Sequence, residues 1–390
     1  MKSNLGTSKI LLVGILCAFA ASTRGSDAPR PHAGKEPPGL RMLDLVDFPD
    51  ANGKIPFAHL PQLSGDRAIV SRADPLLKFQ LHSYLAFHEG LYWCMWSQGP
   101  PVEDEPGQEV RYATSVDGLS WSEARSVAGP PPSGYGFIAR GFWIRDGRML
   151  ALVARYKGRG AFNRRGKELE LQALEWEPGT KQWSPPRRVF PDAINNFPPE
   201  KLPNGEWLMS RRDSRLDVHV LIGGRKAIDD WVSLAVVGRH ELEGFVPDEP
   251  VWWSLPDGRL TSVYRDNSGS SWLFRSFSTD NGRTWTRPAQ TNFPASPSKI
   301  FSLAIDDRCR ALISNANPAA ERRRLYLATT PDGLTFTRLA QLQLSWMGIS
   351  SVQYPHAIVH DGHLLVTYSR NKGAIEAFKI PLAPVLAMCR

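Results

Sequence analysis

A glutamate and a tyrosine of complementary chemistry stand at matching positions in the sequence. Glu249 lies nine residues before Gly258, and Tyr354 lies eight residues before Gly362. A tyrosine hydroxyl is a poor nucleophile at neutral pH because its pKa is about 10, but a neighbouring carboxylate can take its proton during attack. If the two glycines mark equivalent turns, the two side chains lie at similar depth in the fold.

Turns of this kind recur along the chain, each with an apolar stretch on either side. Their second residues are Gly90, Gly147, Gly205, Gly258, Asp307 and Gly362, which lie 57, 58, 53, 49 and 55 residues apart. Asn-Gly and Asp-Gly favour two-residue hairpin turns, since both residues tolerate a positive φ. A steady period near 55 residues is long enough for a four-stranded sheet. We therefore expect an all-β fold in which six sheets close into a six-bladed β-propeller.

The composition agrees with a globular protein that is rich in strands. Hydrophobic residues make up 42% and charged residues 22%, which excludes a disordered chain. The 32 glycines, 32 prolines and 13 tryptophans favour many short strands and turns over long helices.

A second motif follows three of the turns. It occupies residues 115–121, 278–285 and 330–336, and it combines a hydroxyl, an aspartate, a glycine and an aromatic residue. The hydroxyl and carboxylate satisfy turn amides, while the aromatic ring fills the space between strands. Residues 175–183 and 227–231 look like decayed copies. These are Asp boxes, and six units that contain them resemble the sialidase superfamily of six-bladed propellers over about residues 75–385.

The resemblance implies roles for the tyrosine and the glutamate. In sialidases such a pair supplies the nucleophile and its base, which here are Tyr354 and Glu249. A neutral nucleophile avoids repulsion by the carboxylate that sialic acid carries at its anomeric carbon. The chain would then be an exo-glycosidase that removes a terminal sialic acid or a related acidic sugar with retention of configuration.

Sialidases bind the substrate carboxylate with three arginines, because a guanidinium donates two parallel hydrogen bonds. The resemblance implies Arg265 as the second and Arg322 as the third. The alternatives to Arg322 are its neighbours Arg323 and Arg324. The first position holds Gln80, which supplies a hydrogen bond and no charge. Arg140, on the second blade, is a candidate substrate-binding residue that could reach the same funnel.

The resemblance also implies an acid/base carboxylate in the loop 99–107. We expect Asp104, 24 residues after Gln80, to fill this role, with Glu103 and Glu105 as alternatives. Neighbouring carboxylates favour a protonated form, which a general acid needs.

Other polar residues occupy funnel positions and leave rival hypotheses open. They are His82, Arg140, Asn196, Arg212 and His356. A uronate lyase, or a glycosidase for another sugar, is one rival, because Arg265, Tyr354 and His356 could neutralise a carboxylate and move a proton. A non-catalytic glycan-binding propeller is another, motivated by Gln80.

The ends and the charge of the chain suggest a compartment and a partner. Residues 1–25 resemble a signal peptide, 26–40 a linker, and 41–390 the propeller, so we expect a secreted or periplasmic protein with no membrane span after cleavage. The net charge of +8 falls by two when Lys2 and Lys9 are removed. The remaining positive charge suits an acidic carbohydrate, and no Lys/Arg block indicates nucleic-acid binding.

The cysteines and the acidic residues give no reason to expect a metal or a cofactor. No pair among Cys94, Cys309 and Cys389 has metal-site spacing, and no His/Asp/Glu cluster has ligand spacing. One disulfide to Cys389 is an alternative, but we expect buried thiols.

Overall fold

Short β-strands make up nearly all of the structure, which is a computed structural model that describes residues 41–48, 54–160, 168–344 and 348–390. The predicted signal peptide (1–25) and linker (26–40) lie outside the described residues. Within the part of the chain that is described, no helix is both long and apolar enough to cross a membrane.

The strands follow one another along the chain in successive groups. Two strands come first, β1 (Gln62–Leu63) and β2 (Asp66–Arg72). The first group contains β3 (Phe79–His88), β4 (Leu91–Gly99), β5 (Glu109–Ser115) and β6 (Arg125–Ser126). The second contains β7 (Tyr135–Arg145), β8 (Arg148–Lys157), β9 (Leu169–Glu177), β10 (Gln182–Trp183) and β11 (Arg187–Pro191). The third contains β12 (Ile194–Asn195), β13 (Glu200–Lys201), β14 (Trp207–Arg212), β15 (Val218–Gly223) and β16 (Trp231–Val237).

Three further groups and a short helix complete the fold. The fourth group contains β17 (Pro247–Ser254), β18 (Leu260–Asp266), β19 (Trp272–Ser278) and β20 (Ala289–Pro294). The fifth contains β21 (Phe301–Asp306), β22 (Cys309–Ser314), a 3-10 turn (Pro318–Ala320), β23 (Tyr326–Thr330) and β24 (Arg338–Leu342). The sixth contains β25 (Val352–His360), β26 (His363–Arg370) and β27 (Ala374–Pro381), and α1 (Leu382–Ala387) follows it.

Each group forms one blade, a sheet whose successive long strands pair antiparallel. The two strands that precede the first blade belong to the sheets of the last two blades. β2 pairs antiparallel with β27 of blade six, and β1 pairs parallel with β24 of blade five. Both ends of the chain therefore close the ring, which leaves fewer strand edges unpaired. The prediction of an all-β, six-bladed propeller is confirmed.

The recurrent turns join the first two long strands of each blade. In blades one, two and six both turn residues have positive φ, as at Asp361 (45°) and Gly362 (67°). In blades three and four the loops are longer, and glycine alone has a positive φ, as at Gly205 (83°) and Gly258 (84°). The sequence spacing therefore located all six turns, but only some of them are two-residue turns.

The Asp boxes form hairpins at the outer strands of the blades. In the first box the Asp117 carboxylate accepts a hydrogen bond from the amide of Ser120 at 2.7 Å. The amide of Gly118 donates to the Ser115 hydroxyl at 2.8 Å, and the Trp121 indole donates to the Gly118 carbonyl at 3.1 Å. Hydroxyl, carboxylate and indole therefore satisfy the turn locally, as the motif predicts.

The same closing contact identifies one of the decayed copies. The Trp285 indole donates to the Gly282 carbonyl at 2.9 Å in the second box, and the Trp231 indole donates to the Ile228 carbonyl at 2.7 Å in the copy at 227–231. In the copy at 175–183 the Trp183 indole nitrogen is buried but makes no hydrogen bond within the described residues. Its ring packs instead among aromatic side chains between blades one and two.

A disulfide between Cys309 and Cys389 ties the C-terminal end of the chain to blade five. Our expectation that both would be buried thiols is wrong, and the alternative, one bridge to Cys389, is correct. Cys94 remains a buried thiol. The error arose because the residues are 80 positions apart, and sequence spacing does not reveal that α1 returns to the start of β22.

Candidate active site

The first strands of blades one, four and six share a local irregularity that carries the most reactive side chains. A β-bulge interrupts β3, β17 and β25, and in each bulge a residue other than glycine has a positive φ. These residues are His82 (56°), Glu249 (42°) and Tyr354 (59°). Bulges redirect side chains, and such backbone conformations occur where the surroundings enforce them. Three blades therefore present a histidine, a glutamate and a tyrosine through the same device.

Blade two carries a related bulge in β7, which positions an arginine. Arg140 precedes Gly141, whose φ is 99°, and a Cβ at Gly141 would lie 2.7 Å from Pro198. Only glycine fits this position, because other residues would clash there. The Arg140 side chain is buried, and its Nη1 donates to the Asn195 carbonyl of blade three at 3.3 Å.

Six polar residues, one from each blade, form a ring around the propeller axis, which we call the axial ring. Each stands seven to nine residues before its turn marker, and none is more than 8% exposed. They are His82, Arg140, Asn196, Glu249, Lys299 and Tyr354. The first strand of blade one contacts those of blades two and six, and the first strand of blade five contacts those of blades four and six, so residues at this shared depth converge. The offset that identified Glu249 and Tyr354 in the sequence therefore holds in every blade.

Arg265 joins the two residues of the predicted catalytic pair. Its Nη1 lies 2.5 Å from Glu249 Oε2 and 3.4 Å from the Tyr354 hydroxyl. The carboxylate and the hydroxyl are thus no further apart than the sum of these distances, with a guanidinium nitrogen between them. The described contacts of the Tyr354 hydroxyl include no hydrogen bond to Glu249 itself.

The electrostatic surroundings fix the protonation states of this pair. Burial disfavours a charge on Glu249, but the cations Arg265, Arg212 and Lys299 outweigh it and lower its pKa. Burial, followed by repulsion from the Glu249 carboxylate, raises the pKa of Tyr354 well above its ordinary value. At neutral pH the site therefore holds a carboxylate beside a neutral phenol, which needs a base before it can attack.

A second ion pair lies next to Glu249 and involves the residue that precedes it. The Arg212 guanidinium at the end of β14 forms a short ion pair with Asp248. The other oxygen of Asp248 accepts from the Asn267 side chain at 2.8 Å, while the amide of Glu249 donates to Asp248 Oδ1 at 2.9 Å. Asp248 thus orients the bulge that carries Glu249, and Arg212, named in the sequence as a funnel residue, lies close behind the pair.

Lys299 belongs to the site and was missed in the sequence. Its Nζ donates to the Tyr84 hydroxyl at 2.6 Å and to the Asn196 carbonyl at 3.0 Å, and it lies 4.3 Å from the centroid of the Phe197 ring. Burial lowers its pKa well below the ordinary value. A signal did exist, because Lys299 stands eight residues before Asp307, the same offset as Tyr354 from its own turn.

The acidic loop after β4 approaches the ring through Glu103. One Glu103 oxygen lies 3.4 Å from His82 Nε2, and the other accepts from Lys372 Nζ at 2.6 Å. The His82 ring packs edge-on against Tyr354, with 5.1 Å between ring centroids. Asp104 has a positive φ of 59°, and its amide donates to the Gln108 side chain at 3.2 Å.

Glu105, the third acid of that loop, faces blade two. Its carboxylate lies 3.2 Å from Arg159 Nε, and its carbonyl accepts from the Tyr156 hydroxyl at 2.7 Å. The Glu103 and Glu105 carboxylates thus have separate partners, and Glu103 is the one that adjoins His82.

Arg322 lies beside the pair rather than within it. Its guanidinium donates to Gln353 Oε1 and to the Pro297 carbonyl, both at 2.5 Å. These residues line a cavity of about 390 Å³ that also includes Ser296 and Ser351. Gln353 directly precedes Tyr354, so Arg322 is one residue removed from the nucleophile candidate.

Gln80 and His356 are engaged within the fold. The Gln80 amide donates to the Ser71 hydroxyl at 2.9 Å, and its oxygen is buried without a partner among the described residues. His356 Nδ1 accepts from the amide of Leu85 at 3.1 Å, and its ring packs against Phe301 with centroids 4.3 Å apart. Burial lowers the pKa of His356 to about 3, so the ring is neutral. A packed, neutral imidazole disfavours the lyase hypothesis, which required His356 to move a proton.

Metal-ligating side chains do not cluster in the described part of the chain. Among the described residues, no group of three or more His, Cys, Asp or Glu side chains could hold a metal ion.

Comparisons with known structures agree with the architecture. A protein of unknown function from Dyadobacter fermentans matches with a TM-score of 0.67 and 16% identity, over 83% of this chain and 100% of that one. Trypanosoma rangeli sialidase in complex with sialic acid matches with a TM-score of 0.65 and 14% identity, over 84% of this chain and 60% of that one. The Hadza microbial sialidase Hz136 matches with a TM-score of 0.62 and 13% identity, over 79% and 66%. Likeness at such identities shows the fold alone, and the chain spans about two thirds or less of the length of these sialidases.

Comparisons of sequence lead to a family. A search of curated proteins found no match. The model of the BNR repeat-like domain, however, matches residues 93–366, which is well over half of the chain. The described Asp boxes, the six blades and this match agree, and the chain therefore belongs to the BNR repeat-like domain family, with a sialidase-like six-bladed propeller.

Proposed function

We propose that this protein is a secreted exo-glycosidase that hydrolyses a terminal sialic acid, or a related acidic sugar, with Tyr354 as its nucleophile. One observation carries the proposal: a single guanidinium nitrogen of Arg265 contacts both Glu249 and the Tyr354 hydroxyl. Several structural neighbours are sialidases, and one of them is a complex with sialic acid, which supports the substrate class.

The first chemical step forms a bond between the tyrosine and the sugar. When an acidic sugar binds, its carboxylate competes with Glu249 for the Arg265 guanidinium. The weakened ion pair increases the proton affinity of Glu249, which accepts the phenol proton as the Tyr354 oxygen attacks the anomeric carbon. The bond between that carbon and the leaving oxygen breaks in the same step. A neutral phenol meets the acidic sugar without charge repulsion.

The leaving group needs a proton, which a carboxylic acid of the loop 99–107 supplies. Spacing in the sequence favours Asp104 for this role. The contacts favour Glu103, because it adjoins His82, whose ring packs against Tyr354. The two candidates remain part of the proposal, and variants of each separate them.

The second step releases the sugar. The same loop carboxylate takes a proton from water, which attacks the anomeric carbon as the bond to the Tyr354 oxygen breaks. Glu249 then returns its proton to the Tyr354 phenolate. Two successive inversions leave the product with the anomeric configuration of the substrate.

The experiment that tests the proposal uses a fluorogenic sialoside with the full-length protein. Tyr354→Phe removes the nucleophile, and Glu249→Gln removes the base. Loss of a general base lowers the reaction rate by about 10²- to 10⁴-fold. Tyr135→Phe and Glu123→Gln are matched controls on half-buried and exposed positions away from the ring. We expect both controls to keep the wild-type rate. Full activity of Tyr354→Phe would overturn the mechanism, and absence of turnover by the wild type on a broad panel of acidic glycosides would leave a glycan-binding propeller.

A further inference from the structure

The decayed Asp-box copy of blade two, residues 175–183, forms one wall of a cavity of about 230 Å³. It contributes Trp176 and Pro178 to the lining, and blade one contributes residues of β4, β5 and β6 and of the loops beside them. Trp183, the closing aromatic residue of the copy, packs against Trp176 with 5.2 Å between ring centroids. The copy therefore holds its aromatic residues at the cavity, whereas the first two intact boxes use their tryptophan to close a hairpin.

This cavity lies at the opposite end of blade one from the axial ring. Glu89, in the turn that follows β3, lines the cavity, whereas His82 of the axial ring lies near the start of β3. The two residues are seven positions apart in the sequence. Because a strand rises about 3.3 Å per residue, the two places are on the order of 20 Å apart. A ligand in the cavity therefore binds separately from one at the candidate active site.

Three aromatic side chains give the cavity an apolar lining. They are Trp93, Tyr112 and Trp176, and each is more than nine-tenths buried. The ring centroids of Trp93 and Trp176 are 4.9 Å apart, and those of Trp93 and Tyr112 are 5.6 Å apart. The rings thus hold one another in place. A fixed aromatic surface with a few polar groups is typical of sites that bind small molecules.

Two polar atoms of this aromatic lining have no partner in the fold. Neither the Tyr112 hydroxyl nor the Trp176 indole nitrogen makes a hydrogen bond to a described residue. The Trp93 indole, in contrast, donates to the His88 carbonyl at 3.1 Å. Buried hydroxyl and indole groups are normally hydrogen-bonded, so these two atoms suit a ligand that supplies the partners.

Charged side chains of both signs lie at the same cavity, among them Glu89 and Arg125. Both are exposed, and neither forms an ion pair with a described residue. A carboxylate accepts hydrogen bonds and a guanidinium donates them. A charged ligand is repelled by one of the two, whereas a hydroxyl group binds to either, because it both donates and accepts.

We propose that this cavity is a second glycan-binding site, which holds one uncharged hexose or N-acetylhexosamine unit. The apolar face of the sugar ring packs on the aromatic lining, and its hydroxyl groups bind Tyr112, Trp176, Glu89 and Arg125. The volume of about 230 Å³ lies below the range of about 300–1,000 Å³ that encloses drug-sized ligands, so one sugar unit fits better than an oligosaccharide. The site goes beyond the proposed function, since it needs neither an acidic sugar nor turnover.

Saturation-transfer NMR with the full-length protein tests the site. The probes are the methyl glycosides of glucose, galactose, mannose and N-acetylglucosamine, and titrations give their dissociation constants. We expect at least one probe to bind the wild type. Tyr112→Phe and Trp176→Phe should each weaken its binding by about 2- to 10-fold, as for the loss of a neutral hydrogen bond. Tyr135→Phe and Trp272→Phe, at half-buried positions away from the cavity, are the matched controls and should bind as the wild type does.

The results separate this proposal from the proposed function. A probe that binds the wild type and both ring variants equally overturns the second site, and so does a wild type that binds none of the probes. Either result leaves the glycosidase standing if the same protein hydrolyses a sialoside. Stronger binding of methyl glucuronide than of methyl glucoside, lost in Arg125→Gln, overturns the assignment to an uncharged sugar.

Thermal unfolding of each variant without sugar shows whether a replaced ring disturbs the fold. If it does, Glu89→Gln and Arg125→Gln test the same cavity at exposed positions, where substitutions usually have little effect on stability. Glu123→Gln and Arg187→Gln are their exposed controls. Weaker binding of the sugar by the first two variants, and not by the controls, supports the site. Unchanged binding by both overturns it.

Discussion

Lys299 Nζ lies 2.6 Å from the Tyr84 hydroxyl, so an amine from blade five meets a phenol from blade one across the axis. The contact connects blades that are not neighbours in the ring. It also places a buried amine close to Tyr354, whose ring centroid is 5.8 Å from Nζ. Polar contacts of this kind hold the funnel in one arrangement, and the cost is a cation in a poorly hydrated place.

Replacing this amine should make the protein more stable at neutral pH. Burial lowers the pKa of Lys299 in the folded state, so the unfolded chain binds more protons and stability rises with pH up to the unfolded value of about 10.4. We expect Lys299→Met to unfold at a higher temperature than the wild type at pH 7. The difference should shrink towards pH 10, as measured by thermal unfolding across that range. A variant that is less stable at pH 7, with Lys181→Met unchanged, would show that the hydrogen bonds of Lys299 outweigh its desolvation.

The Glu249–Arg265 pair should also give stability that rises with pH, in this case because the folded state stabilises the charged form of Glu249. Neighbouring cations lower the pKa of Glu249 in the folded state. Its contribution is therefore fully present above the unfolded value of about 4.3 and is lost as the pH falls through the folded value. We expect Glu249→Gln to cost about 3 kcal/mol at pH 7, as for a broken buried pair, and less at pH 3. Denaturant unfolding at both values measures this, and an equal cost at both would contradict the ion-pair account.

The identity of the general acid can be read from the leaving group. Loss of the acid should lower the hydrolysis rate of a natural glycoside by about 10²- to 10⁴-fold, because a poor leaving group needs the proton. A nitrophenol leaves without one, so kcat/KM for a nitrophenyl glycoside, which reports the first step alone, should fall far less. Asp104→Asn and Glu103→Gln are compared on both substrates, and the variant with the selective loss identifies the acid. Equal losses on the two substrates would exclude that residue as the acid.

The disulfide should stabilise the closed ring. Cys309 and Cys389 are 80 positions apart in the sequence, and cross-links of this kind contribute about 2–4 kcal/mol by restricting the unfolded chain. We expect the double variant Cys309→Ala/Cys389→Ala to unfold at lower denaturant concentration, and to be indifferent to a reductant. Cys94→Ala should remain sensitive to the reductant, since its thiol is not part of the bridge. A wild type that reductant does not destabilise would contradict this role.

The architecture could be predicted from the sequence because each repeat contains a local sequence signal, the hairpin turn. A hairpin needs glycine or a small polar residue at a fixed place, so Gly90 and Gly362 mark equivalent turns without any structural knowledge. The same spacing located Glu249 and Tyr354. It also contained Lys299, which was overlooked because a lysine before an apolar strand resembles an ordinary solvated residue.

Other features depended on contacts that spacing does not encode. The sequence placed Gln80 at the missing first arginine position, but not its hydrogen bond to Ser71 on β2, a strand that belongs to blade six. The bridge from Cys389 likewise depends on where the last helix packs. Such contacts join segments far apart in the chain, and loop closure rather than local preference decides them.

The pairing of β2 with β27 has a consequence for the order of assembly. Asp66 and Lys379 are partners in this ladder, although roughly 300 residues separate them, and β2, the outer strand of blade six, therefore has no partner until the last part of the chain has been synthesised. Until then the early strand has an open hydrogen-bonding edge, which is a site for mispairing with another copy. We expect slow folding and dependence on chaperones that bind unfolded chains, because the ring closes only when strands from the two ends of the chain pair.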